Sequence, residues 1–369
     1  MKPRIIPFDD SWWPALVAFL NEHWQANHPV TQRELFFWQY KGFGPRAGVN
    51  ASRIAVVGDA IVGFLGAIPG LYRLDGQQVA GSALALWVVH PDHRPKGLGI
   101  ELFNAVVGES QVSVCLGVNP HVSRFYTAAG YRQLDSLHRY AVPLDPQAYP
   151  LLLKQLPENG RGDIQEWFGG LGLDDASPVE PQTIQPAELA EFWYDAGSRW
   201  RLALERTEEF WAWRYRDAVA FSYRMFGSPH GSYVIGRCEK ASHPLHPELE
   251  GRAVLRIIEL LPTPGDAPDS MINLLRSVLA WAHRQGGIAA DFQCSSRVLE
   301  PILAAAGFRQ RCEQQPLAQL PELFSPVRHD VAAINAFIRI NGDANPIAFD
   351  QTYLVKSDGD MDRPTRWSL

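Results

Sequence analysis

The chain has 369 residues and a formal net charge of -6, with 46% hydrophobic and 20% charged residues. This length exceeds one small core and predicts two globular domains, and the composition excludes an extensively disordered chain. The negative charge argues against broad electrostatic binding to nucleic acid or to an anionic membrane surface. The four cysteines form no CxxC or CxxH pair, so no metal site is predicted.

The N-terminal "MKPRIIPFDDSWWP" places acids ahead of any apolar run and is therefore not predicted to be a signal peptide. The longest apolar region, residues 54–71, is interrupted by Asp59 and by several glycines and prolines, so no membrane span is predicted. We expect a cytoplasmic protein that is a monomer or a homodimer.

The first elements in chain order are two helices, "DSWWPALVAFLNEHW" and "RELFFWQYK". "RIAVVGD" and "AIVGFLGAIP" then predict a hairpin, and a loop containing "DGQQ" leads to the strand "ALALWVVH". A helix from Gly97 to about Val107 precedes the strand "VSVCLGV", the helix "VSRFYTAAG" and the strand "YRQLDSLHRYAV". Strands that alternate with helices in this way predict an α/β fold with a mixed sheet.

Three segments of this region recur later in the chain, in the same order and at nearly constant offsets. "ELFFWQY" recurs as "EEFWAWRY", which aligns Trp38 with Trp213. "LWVVHP" recurs as "IIELLP", and "FYTAAGYRQ" recurs as "ILAAAGFRQ". Three collinear pairs predict two diverged copies of one domain. We therefore expect a first domain over residues 1–142, a turn-rich linker over 143–186 and a second domain with a C-terminal tail over 187–369. Within the last of these, "DVAAINAFIRI" predicts a helix.

The turn "HPDHRPKGLG" after the strand is the first candidate site. Amides at the start of a helix point outward and favour anions, and the glycines at 97 and 99 allow close approach. Arg94 and Lys96 add positive charge. Taken alone, such a turn also suits a plain connection between a strand and a helix.

The residues around the turn resemble a family motif. Val89, Pro91, Arg94, Gly97 and Gly99 fill the V-x-P-x-x-R-x-x-G-x-G pattern of the GCN5-related N-acetyltransferase superfamily. This resemblance implies that the turn holds the pyrophosphate of an acyl-coenzyme A. It assigns cofactor contacts to residues that line the strand end and the turn, namely Val88, Val89, Arg94, Lys96, Gly97, Leu98 and Gly99. Pro95 departs from the pattern and removes one amide donor.

A second family motif follows about twenty residues later. "NPHVSRFYTAAGYR" is similar to N-x-x-A-x-x-x-Y-x-x-x-G-F, with Val122 at the alanine position. The resemblance implies that Asn119 contacts the cofactor and that Tyr126 protonates the departing thiolate. The second copy lacks both motifs, because Ser270 stands at the place of Gly99 and Leu303 at the place of Tyr126. Tyr126 as a plain buried aromatic residue is the alternative.

A general base is harder to predict, because "ALALWVVH" contains no acid. His90 and His93 are the nearest titratable candidates, with a role at the strand end or in capping as the alternative. A water relay without a dedicated base also remains open.

The acceptor side is predicted from aromatic residues and from the loop "GLYRLDGQQ". Trp38, Tyr40 and Trp87 are candidate substrate contacts, with packing in the core as the alternative. In the tail, Asp343, Asp358, Asp360 and Asp362 could bind an amine, but we expect them to be solvated.

The whole chain resembles tandem-domain members of the superfamily that act on nucleotide-linked amino sugars, through "FFWQYKGFGP", the degenerate repeat and the ending "YLVKSDGDMDRP". The resemblance implies transfer of an acetyl or 3-hydroxybutanoyl group from acyl-CoA to a dTDP-linked amino-dideoxy sugar for surface polysaccharide biosynthesis. A non-catalytic acyl-CoA sensor or scaffold, and an N-acyltransferase with a peptide or another small amine as acceptor, are the alternatives.

Overall fold

The structure is a computed structural model. It describes residues 2–43, 48, 50–145, 166–167, 169–227, 231–240, 251–265, 268–310, 334–342 and 347–364. In this part of the chain no helix is both long enough and apolar enough to cross a membrane.

The first half contains the elements that the sequence predicts, in the same order, preceded by one strand, β1 (Arg4–Pro7), that it does not predict. The predicted elements are α1 (Trp13–His23), α2 (Arg33–Tyr40), β2 (Arg53–Val57), β3 (Ala60–Leu74), β4 (Gln77–Val89), α3 (Leu98–Val107), β5 (Val112–Leu116), α4 (Pro120–Ala128) and β6 (Arg132–Pro143). One expectation is wrong: most of "GLYRLDGQQ" is strand rather than loop. Asp75 and Gly76, both with positive φ, turn β3 directly into β4.

The second half repeats this pattern. Its elements are α5 (Pro186–Ala196), β7 (Leu202–Leu204), α6 (Glu208–Trp211), β8 (Arg224–Gly227), β9 (Tyr233–Lys240), β10 (Ala253–Leu261), α7 (Pro268–Arg284), β11 (Gly287–Cys294), α8 (Glu300–Ala305), β12 (Arg309–Gln310), β13 (Ile334–Ile340) and β14 (Thr352–Tyr353). Helix α7 joins the parallel pair β10 and β11, just as α3 joins the parallel pair β4 and β5. The predicted α/β class, with two similar halves, is confirmed.

The two halves exchange strands. β13 lies between β5 and β6 and is antiparallel to both, although it follows the second half in the chain. β6 pairs with β13 through its first residues and with β11 through its last. The predicted helix "DVAAINAFIRI" is therefore wrong over 334–340, because this segment is a central strand. The boundaries at 142 and 186 stay predictions, and the strand pairing crosses them.

The described part of the predicted linker packs on the second half. The Trp167 indole donates a 2.7 Å hydrogen bond to the Gly307 carbonyl, while Leu173 and Ile184 belong to the large core. At Trp167, therefore, the predicted linker packs against the second half.

A reciprocal contact joins equivalent residues of the two halves. The Trp38 indole N–H donates to the Trp213 carbonyl at 2.9 Å, and the Trp213 indole N–H donates to the Trp38 carbonyl at 2.8 Å. The rings stack with centroids 5.3 Å apart. These residues are 175 positions apart and are the pair that the sequence repeat aligns. The repeat therefore describes a pseudo-twofold junction.

We predict that Trp38 and Trp213 are energetically coupled. Replacing either residue by phenylalanine removes one indole donor and leaves a carbonyl unpaired, so each change lowers the free energy of unfolding by about 1–3 kcal/mol. The double variant loses less than the sum, by about 0.5 kcal/mol or more, in equilibrium urea unfolding. Trp24→Phe, at a site that is 37% exposed, is the control and costs less than about 0.5 kcal/mol. Strict additivity would contradict the reciprocal contact.

Candidate active site

The site begins where two parallel strands separate. β4 and β5 pair from Gly81 with Val112 up to Leu84 with Cys115, and no further pair follows. Just beyond this point β4 has a bulge at Leu86, whose φ is 58°. A bulge of this kind turns the strand locally. The result is a cleft between the end of β4 and the end of β5.

One backbone amide of β4 faces this cleft. His90 donates its N–H to the Val62 carbonyl on β3 at 2.9 Å. Because successive residues of a strand face opposite edges, the amide of Val88 also faces β3, whereas that of Val89 faces the cleft. The Arg94 side chain confirms this direction, since its Nε donates to the Val89 carbonyl at 2.9 Å. Of the two predicted donors, the geometry therefore favours Val89.

The predicted anion site lies at the start of α3. Ile100 and Glu101 donate their amides to the Gly97 carbonyl, whereas Leu98 and Gly99 have no amide acceptor within the described residues. Orphan amides at a helix start, with Arg94 and Lys96 exposed beside them, fit a pyrophosphate.

Glycine is favoured at the two positions of the turn for different reasons. Gly97 has a φ of 76°, and a Cβ there would meet nothing within 4 Å, so the backbone conformation rather than crowding favours glycine. At Gly99 a Cβ would lie 3.1 Å from Cζ2 of Trp87. Gly99 is therefore explained by packing against the indole as well as by access for a ligand.

Tyr126 lies where the strands diverge. Its side chain is buried, and its hydroxyl oxygen is 3.5 Å from the thiol sulfur of Cys115, the last residue of β5 that pairs with β4. Burial, and next the charge of Cys115, raise the pKa of Tyr126 well above the ordinary value. The phenol is thus protonated at neutral pH and can act as an acid beside the cleft.

Asn119 and His90 have capping roles, whereas His93 lies within the turn and its Nδ1 has no hydrogen-bond partner. The Asn119 side chain accepts the His121 amide at 3.0 Å and begins α4. His90 Nδ1 accepts the Asp92 amide at 3.2 Å, and the His90 ring lies 4.5 Å from that of His23. Burial, and next the charge of Lys96, lower the pKa of His93. No hydrogen bond of the described residues joins His90 or His93 to Tyr126, so their catalytic role stays a prediction.

The three predicted substrate contacts separate in the structure. Trp38 belongs to the junction with Trp213, and Trp87 packs between α3 and α4 against Phe103 and Phe125. Tyr40 is fully buried against Gly66, where a Cβ would lie 2.5 Å from its ring and 2.5 Å from the Ala85 carbonyl. Its hydroxyl is near Gln39 but outside hydrogen-bonding geometry. Tyr40 thus offers a buried hydroxyl without a hydrogen-bond partner next to the bulge of β4, and the indole N–H of Trp87 is likewise without one.

The tail occupies the corresponding cleft of the second half. Leu260 is the counterpart of Val89 in the aligned "IIELLP", and its amide donates to the Tyr353 hydroxyl at 3.2 Å. Beside it, Ser295 donates its amide to the Leu354 carbonyl at 2.9 Å. The second half therefore satisfies its cleft-facing amide with the chain's own residue.

The expectation of a solvated acidic tail is wrong for three of its four aspartates. Asp358, Asp360 and Asp362 are 3%, 8% and 2% exposed, and Asp343 lies outside the described residues. The Arg206 guanidinium bonds Asp358 at 2.9 Å, and that of Arg237 bonds Asp362 at 2.6 Å. Buried carboxylates are retained when cations pair with them.

No local sequence pattern indicates these pairs. Arg206 lies between β7 and α6, and Arg237 lies on β9, both more than 100 residues before the tail. The described residues also contain no cluster of three or more His, Cys, Asp or Glu side chains that could hold a metal ion.

The chain has the fold of the GCN5-related N-acetyltransferases. A GCN5-related N-acetyltransferase from Anabaena variabilis superposes with a TM-score of 0.58 at 15% identity, over 92% of this chain and 73% of that one. Saccharomyces cerevisiae N-myristoyltransferase, solved with bound myristoyl-CoA, gives 0.58 at 13% identity, over 100% of this chain and 86% of that one. A probable N-acyltransferase from Enterococcus faecalis gives 0.55 at 10% identity, over 92% and 73%. No protein-family model and no curated protein matches the sequence.

We predict that the thiol below Tyr126 is unreactive in the folded chain. Burial raises the pKa of Cys115 and Cys294 to about 12, so at pH 8 only about 10⁻⁴ of either is thiolate. Among the three cysteines that the structure describes, iodoacetamide should therefore label the exposed Cys238 first, and Cys115 and Cys294 only after unfolding. Peptide mass spectrometry measures this order. Equal labelling of Cys115 and Cys238 in the native protein would contradict the buried placement.

Proposed function

We propose that the chain is an acyl-CoA-dependent N-acyltransferase. The observation that supports this most strongly is the cleft between β4 and β5, where one edge carries the open amide of Val89 and the other the hydroxyl of Tyr126. A thioester needs both groups, since charge develops on its carbonyl oxygen and then on its sulfur. The orphan amides of Leu98 and Gly99 lie on the helix that follows β4, as a bound pyrophosphate would require.

Each residue then has one task. Leu98 and Gly99, with the cations Arg94 and Lys96, hold the pyrophosphate. Val89 donates its N–H to the carbonyl oxygen of the thioester as the amine attacks. Tyr126 gives its proton to the departing thiolate. Asn119 acts indirectly, by fixing the start of the helix that carries Tyr126.

For the acceptor we propose the amino group of a dTDP-linked amino-dideoxy sugar, which receives an acetyl or 3-hydroxybutanoyl group in surface polysaccharide biosynthesis. The support is the whole-chain resemblance, in which the degenerate second half and the ending "YLVKSDGDMDRP" take part. The buried hydroxyl of Tyr40 adds a polar group near the bulge of β4. A peptide or another small amine is the other acceptor to test.

We predict that Tyr126→Phe lowers kcat by about 10²–10³-fold, because the thiolate then leaves without an acid. The assay measures release of coenzyme A from acetyl-CoA with dTDP-3-amino-3,6-dideoxygalactose, and in parallel with glucosamine and a peptide amine. Tyr131→Phe is the matched control, since it removes a hydroxyl that bonds Ser113 in the same aromatic cluster. Its kcat should stay within about twofold of the unmodified protein.

Two results would contradict the proposal. Unchanged kcat in Tyr126→Phe would remove Tyr126 from the chemistry. Tight binding of acetyl-CoA without release of coenzyme A in the presence of any of these amines would instead favour a sensor or scaffold.

A further inference from the structure

The C-terminal residues 359–363, here called the tail segment, lie at the mouth of the first cleft. Gly359 lies beside Leu116 of β5. The sulfur of Met361 is 3.0 Å from the position that a Cβ of Gly117 would occupy, and Gly117 has a φ of 68°. Because β5 separates from β4 just before these residues, the tail segment borders the cleft that holds Tyr126.

Two anchors fix this placement. Asp358 bonds Arg206, and Asp362 bonds both Arg237 and the Tyr223 hydroxyl, the latter at 2.6 Å. These partners all belong to the second half. Asp360, midway between the anchored carboxylates, makes no such bond and instead pairs with Arg363 of its own segment.

Asp360 acts electrostatically on the first half. Its negative charge contributes, after burial, to raising the pKa of Tyr40 and, more weakly, the pKa of Cys115 and Tyr126. The three affected groups surround the point where β4 and β5 diverge. The side chains of Asp360 and Arg363 keep 10% and 16% exposure, so solvent reaches this pair.

The acid on β10 is already paired, since Glu259 accepts hydrogen bonds from Arg206, Tyr215 and Tyr353. β4 itself contains no acid. Asp360 combines a place on the tail segment beside the first cleft with partial access to solvent.

We propose that Asp360, supplied by the C-terminal tail segment, is the catalytic base that takes the proton from the acceptor amine. This inference rests on the proposed N-acyltransferase function. The amine nitrogen forms a bond to the thioester carbon, the carbon–sulfur bond breaks, and the nitrogen proton passes to Asp360 while Tyr126 protonates the sulfur. Amide and free coenzyme A result, and exchange of protons with water restores both side chains.

The partners of Asp360 position it for this step. The Arg363 guanidinium pairs with the carboxylate next to the cleft, and the buried hydroxyl of Tyr40 can bond a polar group of the acceptor. Because an anion near Tyr126 opposes ionisation of the phenol, the base and the acid keep opposite protonation states before the reaction.

The test compares kcat with acetyl-CoA binding in the full chain. Asp360→Asn should lower kcat by about 10²–10³-fold, with the dissociation constant of acetyl-CoA unchanged. Asp350→Asn is the matched control, because Asp350 is an exposed acid of the same C-terminal region, and it should keep the kcat of the unmodified protein. The amine is dTDP-3-amino-3,6-dideoxygalactose, with glucosamine and a peptide amine in parallel.

Two further variants separate chemistry from folding. In Asp360→Ala, sodium formate should restore activity in proportion to its concentration, because Arg363 remains to bind the added carboxylate. Asp360→Glu keeps the ion pair and should retain more activity than Asp360→Asn. A merely structural role would show no response to formate.

The outcomes distinguish the two proposals. If the unmodified protein releases coenzyme A and Asp360→Asn does so at the same kcat, Asp360 is not the base and the N-acyltransferase function stands. If the unmodified protein binds acetyl-CoA but acylates none of the amines, the proposed function fails and the role of Asp360 fails with it.

Discussion

Neutralisation of buried carboxylates by arginines of the second half determines where the C-terminal tail lies. Asp358 pairs with Arg206, and Asp362 with Arg237, all of them buried. Burial opposes the charge of Asp362, but the charges of Arg237 and Arg214 outweigh it and lower the pKa of this carboxyl. Removing one member of such a pair leaves an unpaired buried charge, which costs about 3–5 kcal/mol. The tail is therefore held in one register.

This register makes two similar halves chemically different. In the second half the Tyr353 hydroxyl takes the amide of Leu260, and the adjacent Leu354 pairs with Ser295 at the end of β11. In the first half the equivalent amide, that of Val89, faces a cleft bordered by the tail segment. A single stretch of chain thus fills one cleft and borders the other, which agrees with a phosphate-binding turn proposed for the first half alone.

The sequence predicted what local patterns encode. Hairpin turns, the amphipathic helices and the equivalence of Trp38 and Trp213 in the two halves all followed from spacing or repetition, whereas the contact between these two residues did not. The sequence did not predict the features that depend on residues far away along the chain. Residues 334–340 have alanines just before them and helical spacing, yet they form a strand because β5 and β6 leave a place between them. From the sequence the aspartates of the tail are predicted to be solvated, because the arginines that pair with them lie far away along the chain.

The candidate site likewise contains residues that the sequence predicted and residues that it did not. Gly97, Arg94 and Tyr126 belong to short motifs, so their neighbourhood was predictable. The proposed roles of Asp360 and Tyr40 depend on the strand exchange and on the ion pairs that anchor the tail. No local sequence motif predicts either feature. Even Gly99, which the motif explains by ligand access, also accommodates the indole of Trp87.

We propose that the chain has one open acyl-CoA cleft, because the tail occupies the other. Native mass spectrometry of the full chain with increasing acetyl-CoA tests this directly. We expect binding to saturate at one acetyl-CoA per chain. Two bound molecules per chain, or none at saturating concentration, would contradict it.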